Sequence, residues 1–275
     1  MATPPSAAIE VEGRRLAWRS VGRGSPLLLI NGYAAASEDW DPAFLGGLAE
    51  SFEVICPDGR GIGESELGEE DLTIDGMAAD FEALLDSLEI DRLPVVGWSM
   101  GGFVAQRLAV RAPERVAALA LLATDPGAPD STDADPEVWA QLTDRSGTAR
   151  EQASRLISLL FPPALAADID RDFGEIVAEA RAKLSSSTLR AQEAAMDAWH
   201  REPLPRGERP GLPVLIVHGD ADRVIPPANA EALTALWPAA RVQVFVDGGH
   251  ALMAQEPQKI ADLIRLVIAQ SPPSS

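Results

Sequence analysis

Gly97-Trp98-Ser99-Met100-Gly101-Gly102 is the segment with the clearest chemical reading. It has the G-x-S-x-G form, it follows the apolar run 94–98, and a helical pattern starts at Met100. A serine on so tight a strand-to-helix turn takes a strained backbone conformation that only small neighbours permit, and it presents its hydroxyl at the carboxyl end of a sheet. A glycine-rich turn with a capping serine has the same letters, but the flanking strand and helix favour the nucleophile. A hydroxyl attacks a carbonyl only with a base at hand, and the chain offers three histidines. His218 ends the apolar strand 214–217 and reads as a buried core residue. His200 sits beside Trp199 and Arg201 in a helical region and reads as a surface or lid residue. His250 follows Asp247-Gly248-Gly249 directly after the last strand pattern, in a loop on the same rim as Ser99. An imidazole that takes a proton needs a carboxylate to set its tautomer and stabilise the cation. Asp222, in the loop 219–226 after the preceding strand, is the best candidate. Asp220 reads as a turn residue capping its own backbone, and Asp125 is a topologically possible substitute for Asp222.

These three side chains are far apart in sequence, so a sheet must bring them together. Short, nearly continuous apolar runs at 26–31, 52–58, 94–98, 116–123, 213–218 and 241–246 predict strands buried on both faces. Helical patterns at 42–49, 76–88, 100–111, 228–236 and 257–269 alternate with them. Such alternation makes crossover units, hence an α/β fold with a mostly parallel central sheet flanked by helices. The opening stretch 8–21, broken at Glu12-Gly13, predicts an antiparallel hairpin at the sheet edge. Between 126 and 210 the alternation stops, and helical patterns follow one another at 136–143, 148–160, 168–182 and 188–199. A Pro/Asp-rich linker (125–136) opens this stretch and a Pro/Arg/Gly segment (202–213) closes it. The expected organisation is a core in two parts, residues 1–125 and 211–275, interrupted by a helical cap, or lid, at 126–210 that covers the site. The Pro/Ser tail 271–275 is expected to fray.

Composition narrows the function classes. Of 275 residues, 46% are hydrophobic and 24% charged, which suits a globular chain with a sizeable core. A formal net charge of −19 repels phosphate backbones and anionic lipid, so neither nucleic acid nor a membrane is expected as a partner. No apolar stretch approaches the ~20 residues that span a bilayer, and 1–10 lacks the pattern of a secretory signal; a cytoplasmic location is the expectation. Cys56, the single cysteine, reads as a small buried hydrophobe. No cluster of His, Cys, Asp and Glu has metal-ligand spacing, and no cofactor is expected.

Taken with the loop 219–226 and Gly249-His250, the turn around Ser99 resembles the α/β-hydrolase superfamily over nearly the whole chain. The order Ser99, Asp222, His250 is the one that fold uses. The segment Asp58-Gly59-Arg60-Gly61-Ile62-Gly63-Glu64-Ser65 is similar to the D-x-R-G-x-G-x-S segment of single-lid members. It has no following Lys-Ser/Thr pair, so it is a structural turn rather than a phosphate loop, with Asp58 and Arg60 tying loops together. The resemblance implies a catalytic triad of Ser99, His250 and Asp222. It also implies an oxyanion hole built from the backbone N–H groups of Met100 and Tyr33. The family usually has histidine before Gly32, whereas this chain has Asn31, which can still shape the loop through its own hydrogen bonds.

The expected function is hydrolysis of a small to medium, neutral, fairly apolar carboxylic ester through an acyl-enzyme. Carbon–carbon bond hydrolysis, lactone hydrolysis and perhydrolysis use the same groups and remain alternatives; a non-catalytic ligand-binding homologue is the reading from another class. Trp98, Trp139, Phe161 and Trp199 are the candidates for lining the substrate pocket, with core or lid packing the competing role for each. Acyl preference and oligomeric state are not encoded in these motifs.

Overall fold

The computed structural model describes residues 6–202, 204 and 211–269. The tail 271–275, residues 1–5 and most of the closing segment 202–213 lie outside them.

Among the described residues one eight-stranded sheet runs in the order β1-β2-β4-β3-β5-β6-β7-β8. Its strands are β1 (Ala7–Val11), β2 (Arg14–Gly22), β3 (Ser25–Ile30), β4 (Phe52–Pro57), β5 (Leu93–Trp98), β6 (Val116–Leu122), β7 (Val214–Gly219) and β8 (Arg241–Phe245). β1 and β2 form the expected hairpin, with Val11 opposite Arg14. Its two turn residues, Glu12 and Gly13, both have positive φ (50° and 76°), the twist that suits a two-residue hairpin. β2 runs antiparallel to β4, and every pair from β4 through β8 is parallel.

The apolar runs are continuous because both faces of the sheet are covered. Leu28 and Ile30 face one core with Phe81 of α2 (Ile74–Ser87), Phe103 and Leu108 of α3 (Met100–Arg111) and Leu233 of α8 (Ala228–Leu236). Leu27 and Leu29 face the other, with Phe44 and Leu48 of α1 (Pro42–Ala49) and Ile260 and Ile264 of α10 (Pro257–Ile268). All seven residues of β6 are buried. β8 departs from the expectation. It closes the sheet edge, and Val242 and Val244 stay more than 40% exposed.

Between β6 and β7 lie α4 (Pro136–Thr143), α5 (Ala149–Leu160), α6 (Pro163–Ala182) and α7 (Ser186–Trp199). Their starts follow capping chemistry. Asp135 accepts from the Glu137 amide, Thr148 and Glu151 form a reciprocal box, and Ser185 accepts from the Thr188 amide. α6 begins at Pro163, five residues before the periodic pattern, because proline is already set for the first helical turn. α2 likewise starts at Ile74, two residues early, where Thr73 caps it. A short α9 (Leu252–Gln255) was not foreseen from periodicity, which four residues cannot display.

The strand order fixes where a site can form. From β3 the chain crosses to β4 on one side, and from β5 it crosses to β6 on the other. The carboxyl ends of β3 and β5 therefore flank a crevice at a topological switch point, the usual ligand position in parallel sheets. Those ends are Ile30-Asn31-Gly32 and Trp98-Ser99.

Candidate active site

Ser99 occupies the β5–α3 junction with φ 55° and ψ −125°. A non-glycine residue in that region stores about 1–3 kcal/mol of strain and persists only where its surroundings hold it. Here the Ser99 N–H donates to the Leu122 carbonyl (3.0 Å), while its own carbonyl accepts from the Thr124 hydroxyl (2.8 Å) and the Gly102 amide (2.8 Å). The neighbouring glycines are needed for contact. A Cβ on Gly97 would strike the Gly101 carbonyl, one on Gly101 the Ile30 carbonyl, and one on Gly102 the Thr124 side chain. Because the atom met at Gly101 is backbone of β3, Gly101→Ala is expected to push β3 and the following loop away from the turn. It should lower stability by about 1–3 kcal/mol, read as a fall in the denaturation midpoint.

That following loop, 31–36, borders Ser99: a Cβ on Gly32 would lie 3.1 Å from the Ser99 Cβ. Asn31 shapes it as expected, accepting from the Gly32 amide (3.1 Å) and donating from Nδ2 to the Ala36 carbonyl (2.7 Å). Two residues of α7 hold the loop from above. Gln192 accepts the Ala34 amide (2.9 Å), and Glu193 accepts the Tyr33 hydroxyl (2.6 Å). Burial first, then the Glu193 carboxylate, push the Tyr33 phenol well above its ordinary value, so it stays protonated and donating. The backbone N–H groups of Tyr33 and Met100 make no backbone hydrogen bond among the described residues.

Asp222 and His250 meet across the loops after β7 and β8. Asp222 Oδ2 lies 2.8 Å from His250 Nδ1, and its Oδ1 accepts the Val224 and Ile225 amides, both at 2.9 Å. Both side chains are almost fully buried. Asp220 does not cap its own turn. It accepts the Asp247 amide (2.7 Å) and so ties the Asp222 loop to the His250 loop. Trp98 connects this pair to the serine turn: its Nε1 donates to the His250 carbonyl (2.9 Å) and its ring lies 5.4 Å from the imidazole. The described residues show no hydrogen bond between the Ser99 hydroxyl and His250, a link that often tightens only with substrate bound.

The other two histidines fall where the sequence placed them. His218 is fully buried, with Nε2 donating to the Ile225 carbonyl (2.8 Å), and burial holds it below the ordinary histidine range. His200, at the end of α7, has its Nε2 3.1 Å from Asp125 Oδ2. Asp125 also accepts the Trp199 indole (3.1 Å) and the Gly127 amide (2.8 Å), so it is committed to α7 and is no substitute for Asp222. Burial disfavours a charged His200, but the Asp125 hydrogen bond and charge outweigh it and raise its pKa. A raised folded pKa stabilises fully below the unfolded value of 6.5 and is lost as pH climbs through the folded one. The melting-temperature gap between the native protein and His200→Gln is therefore expected to be wide at pH 6 and narrow at pH 9; a gap that widens with pH would overturn the assignment.

Of the four candidate pocket residues, Trp199 takes the packing role: it is 2% exposed and stacked on Phe103 (5.1 Å between centroids), with its indole donating to Asp125. Trp98 is half-buried between Trp40 and His250. Phe161, at the end of α5, abuts Gly249 beside His250. Trp139 is half-buried against the core beneath α4. Asp58 and Arg60 tie loops together as expected: Asp58 accepts the Ser37 (2.7 Å) and Glu64 (3.1 Å) amides, and Arg60 pairs with buried Asp80. Gln192 and Glu193 escaped sequence reasoning, since nothing marks two polar positions of an amphipathic helix as loop clamps.

The family model described as the alpha/beta hydrolase fold matches residues 25–257. The chain belongs to that family. This hydrolase-fold protein is 31% identical to a Mycobacterium tuberculosis protein named "Putative non-heme bromoperoxidase BpoC", over 89% of this chain and 94% of that one. Among solved structures it is similar to a thermophilic esterase from Thermogutta terrifontis, with 26% identity, a TM-score of 0.74, and coverage of 97% of this chain and 98% of that one. It is also similar to a hydrolase from Pseudomonas aeruginosa, with 26% identity, a TM-score of 0.80, and the same coverage. Among the described residues no helix is long and apolar enough to cross a membrane, and no group of three or more His, Cys, Asp or Glu is placed to hold a metal ion.

Proposed function

We propose that the protein is a serine hydrolase that cleaves a small to medium carboxylic ester. The observation that carries this is the buried 2.8 Å contact of Asp222 with His250, joined through Trp98 to a serine held at φ 55° beside two unengaged amides. Ser99 attacks the carbonyl as His250 takes its proton, and Asp222 stabilises the imidazolium. The Tyr33 and Met100 amides receive the oxyanion; losing one such donor typically costs about 3 kcal/mol of barrier. His250 then protonates the leaving alcohol, and water repeats the sequence on the acyl-enzyme. In this reading 126–210 is the lid, with its α7 setting the oxyanion loop through Gln192 and Glu193. The core is 1–125 and 211–275.

A fluorophosphonate probe tests the reading directly. It is expected to label the native protein at Ser99 and to leave Ser99→Ala unlabelled. Native protein that stays unlabelled would favour a ligand-binding role. The peroxidase-named relative supports one second reading, perhydrolysis by the same groups, which peracid formation from acetate and hydrogen peroxide would reveal.

A further inference from the structure

Arg181, on the last turn of α6, is 8% exposed, and its Nε and Nη1 atoms are buried without a hydrogen-bond partner. A guanidinium is a fork of N–H donors that keeps its charge at any ordinary pH. Burying it without acceptors is strongly unfavourable, so its environment calls for an explanation. The groups that act most strongly on its charge are the Tyr33 phenol, Arg145, Arg155 and Glu193. Glu193, the one carboxylate among them, is already engaged. It holds Arg145 through both oxygens and accepts the Tyr33 hydroxyl. Arg155 engages Asp144 and the carbonyls of Asp144 and Ser146 through Nη2, although its Nε too is buried without a partner among the described residues. Among the described residues Arg181 is left as a buried positive charge without an ion-pair partner, in a protein whose net charge is −19. Burial pulls its pKa below the ordinary arginine value, as expected of an unpaired cation.

Tyr33 links this charge to the reacting centre. The charge of Arg181 acts on its phenol, and its backbone follows Gly32, which packs against Ser99. We propose that Arg181 anchors a carboxylate of the substrate, so that the ester presented to Ser99 is anionic, for example a half-ester of a short dicarboxylic acid. This rests on the Ser99 reading and replaces the expectation of a wholly neutral substrate. The negative surface then works against non-specific uptake of anions, and a single buried cation selects the one that fits.

Binding tests the anchor without turnover. Ser99→Ala is titrated with monomethyl glutarate and with its uncharged counterpart, dimethyl glutarate. The half-ester is expected to bind at least tenfold more tightly. Adding Arg181→Met should bring the two within twofold of each other, and Arg181→Lys, which keeps the charge, should retain part of the preference. Equal binding of both esters to Ser99→Ala overturns the proposal, as does a preference that survives Arg181→Met. The hydrolase reading is judged separately, by turnover of p-nitrophenyl butyrate and of the p-nitrophenyl half-ester of glutarate. If the native protein cleaves neither, that reading fails while the binding result stands.

Discussion

Ser99→Ala is expected to lower kcat/KM for p-nitrophenyl esters by about 10⁴-fold or more, the scale on which removal of a triad nucleophile acts. The loss should fall on kcat, because only the attacking oxygen is removed and the backbone amides that would meet the carbonyl remain. Stability should change little. Alanine keeps the Cβ that faces Gly32, and the backbone bonds to Leu122, Thr124 and Gly102 do not involve the hydroxyl. A Ser99→Ala protein with unaltered steady-state rates would remove this residue from the chemistry.

Asp222→Asn should be nearly as damaging, with kcat lower by about 10³–10⁴-fold. The Val224 and Ile225 amides both point at Oδ1, so the asparagine oxygen will settle there and keep those bonds. Its NH₂ must then face His250 Nδ1, where a carboxylate oxygen stands 2.8 Å away in the native protein. Two donors cannot share that contact, so Nδ1 becomes the acceptor and the proton moves to Nε2, leaving no lone pair to take the serine proton. The loop stays folded while the tautomer is wrong. In the double variant with Ser99→Ala the two losses should not add, because the groups act as one unit. An Asp222→Asn protein retaining a tenth or more of native kcat would mean that another group orients the imidazole.

Much of this arrangement is legible in the chain. Helices α1, α3, α4 and α8 match their periodic patterns to the residue, since proline, aspartate and glycine punctuate them. The elbow is legible because its letters fall in one short run, although a Cβ on Gly101 would meet the Ile30 carbonyl of β3 and one on Gly102 the Thr124 side chain. His250 could be chosen because only three histidines exist and only one follows a glycine pair. Asp220 was misread because its partner, the Asp247 amide, lies 27 residues away on another loop. For Trp199 the sequence leaves two roles open, because an aromatic residue in a lid helix reads the same whether it faces a pocket or Phe103.

What the amino-acid order decides alone is therefore the two-sided burial of the strands, the turn around Ser99, and the succession of serine, acid and histidine. Each is marked in the chain by residue types a few positions apart. The packing of the folded chain decides the rest: that Gln192 and Glu193 grip a loop 158 and 160 residues earlier, that Asp125 serves His200, and that Arg181 is buried without an acceptor. Helical periodicity specifies that a face will be buried but carries no information about what it will be buried against. That choice is made only when α7 settles on the loop that follows β3.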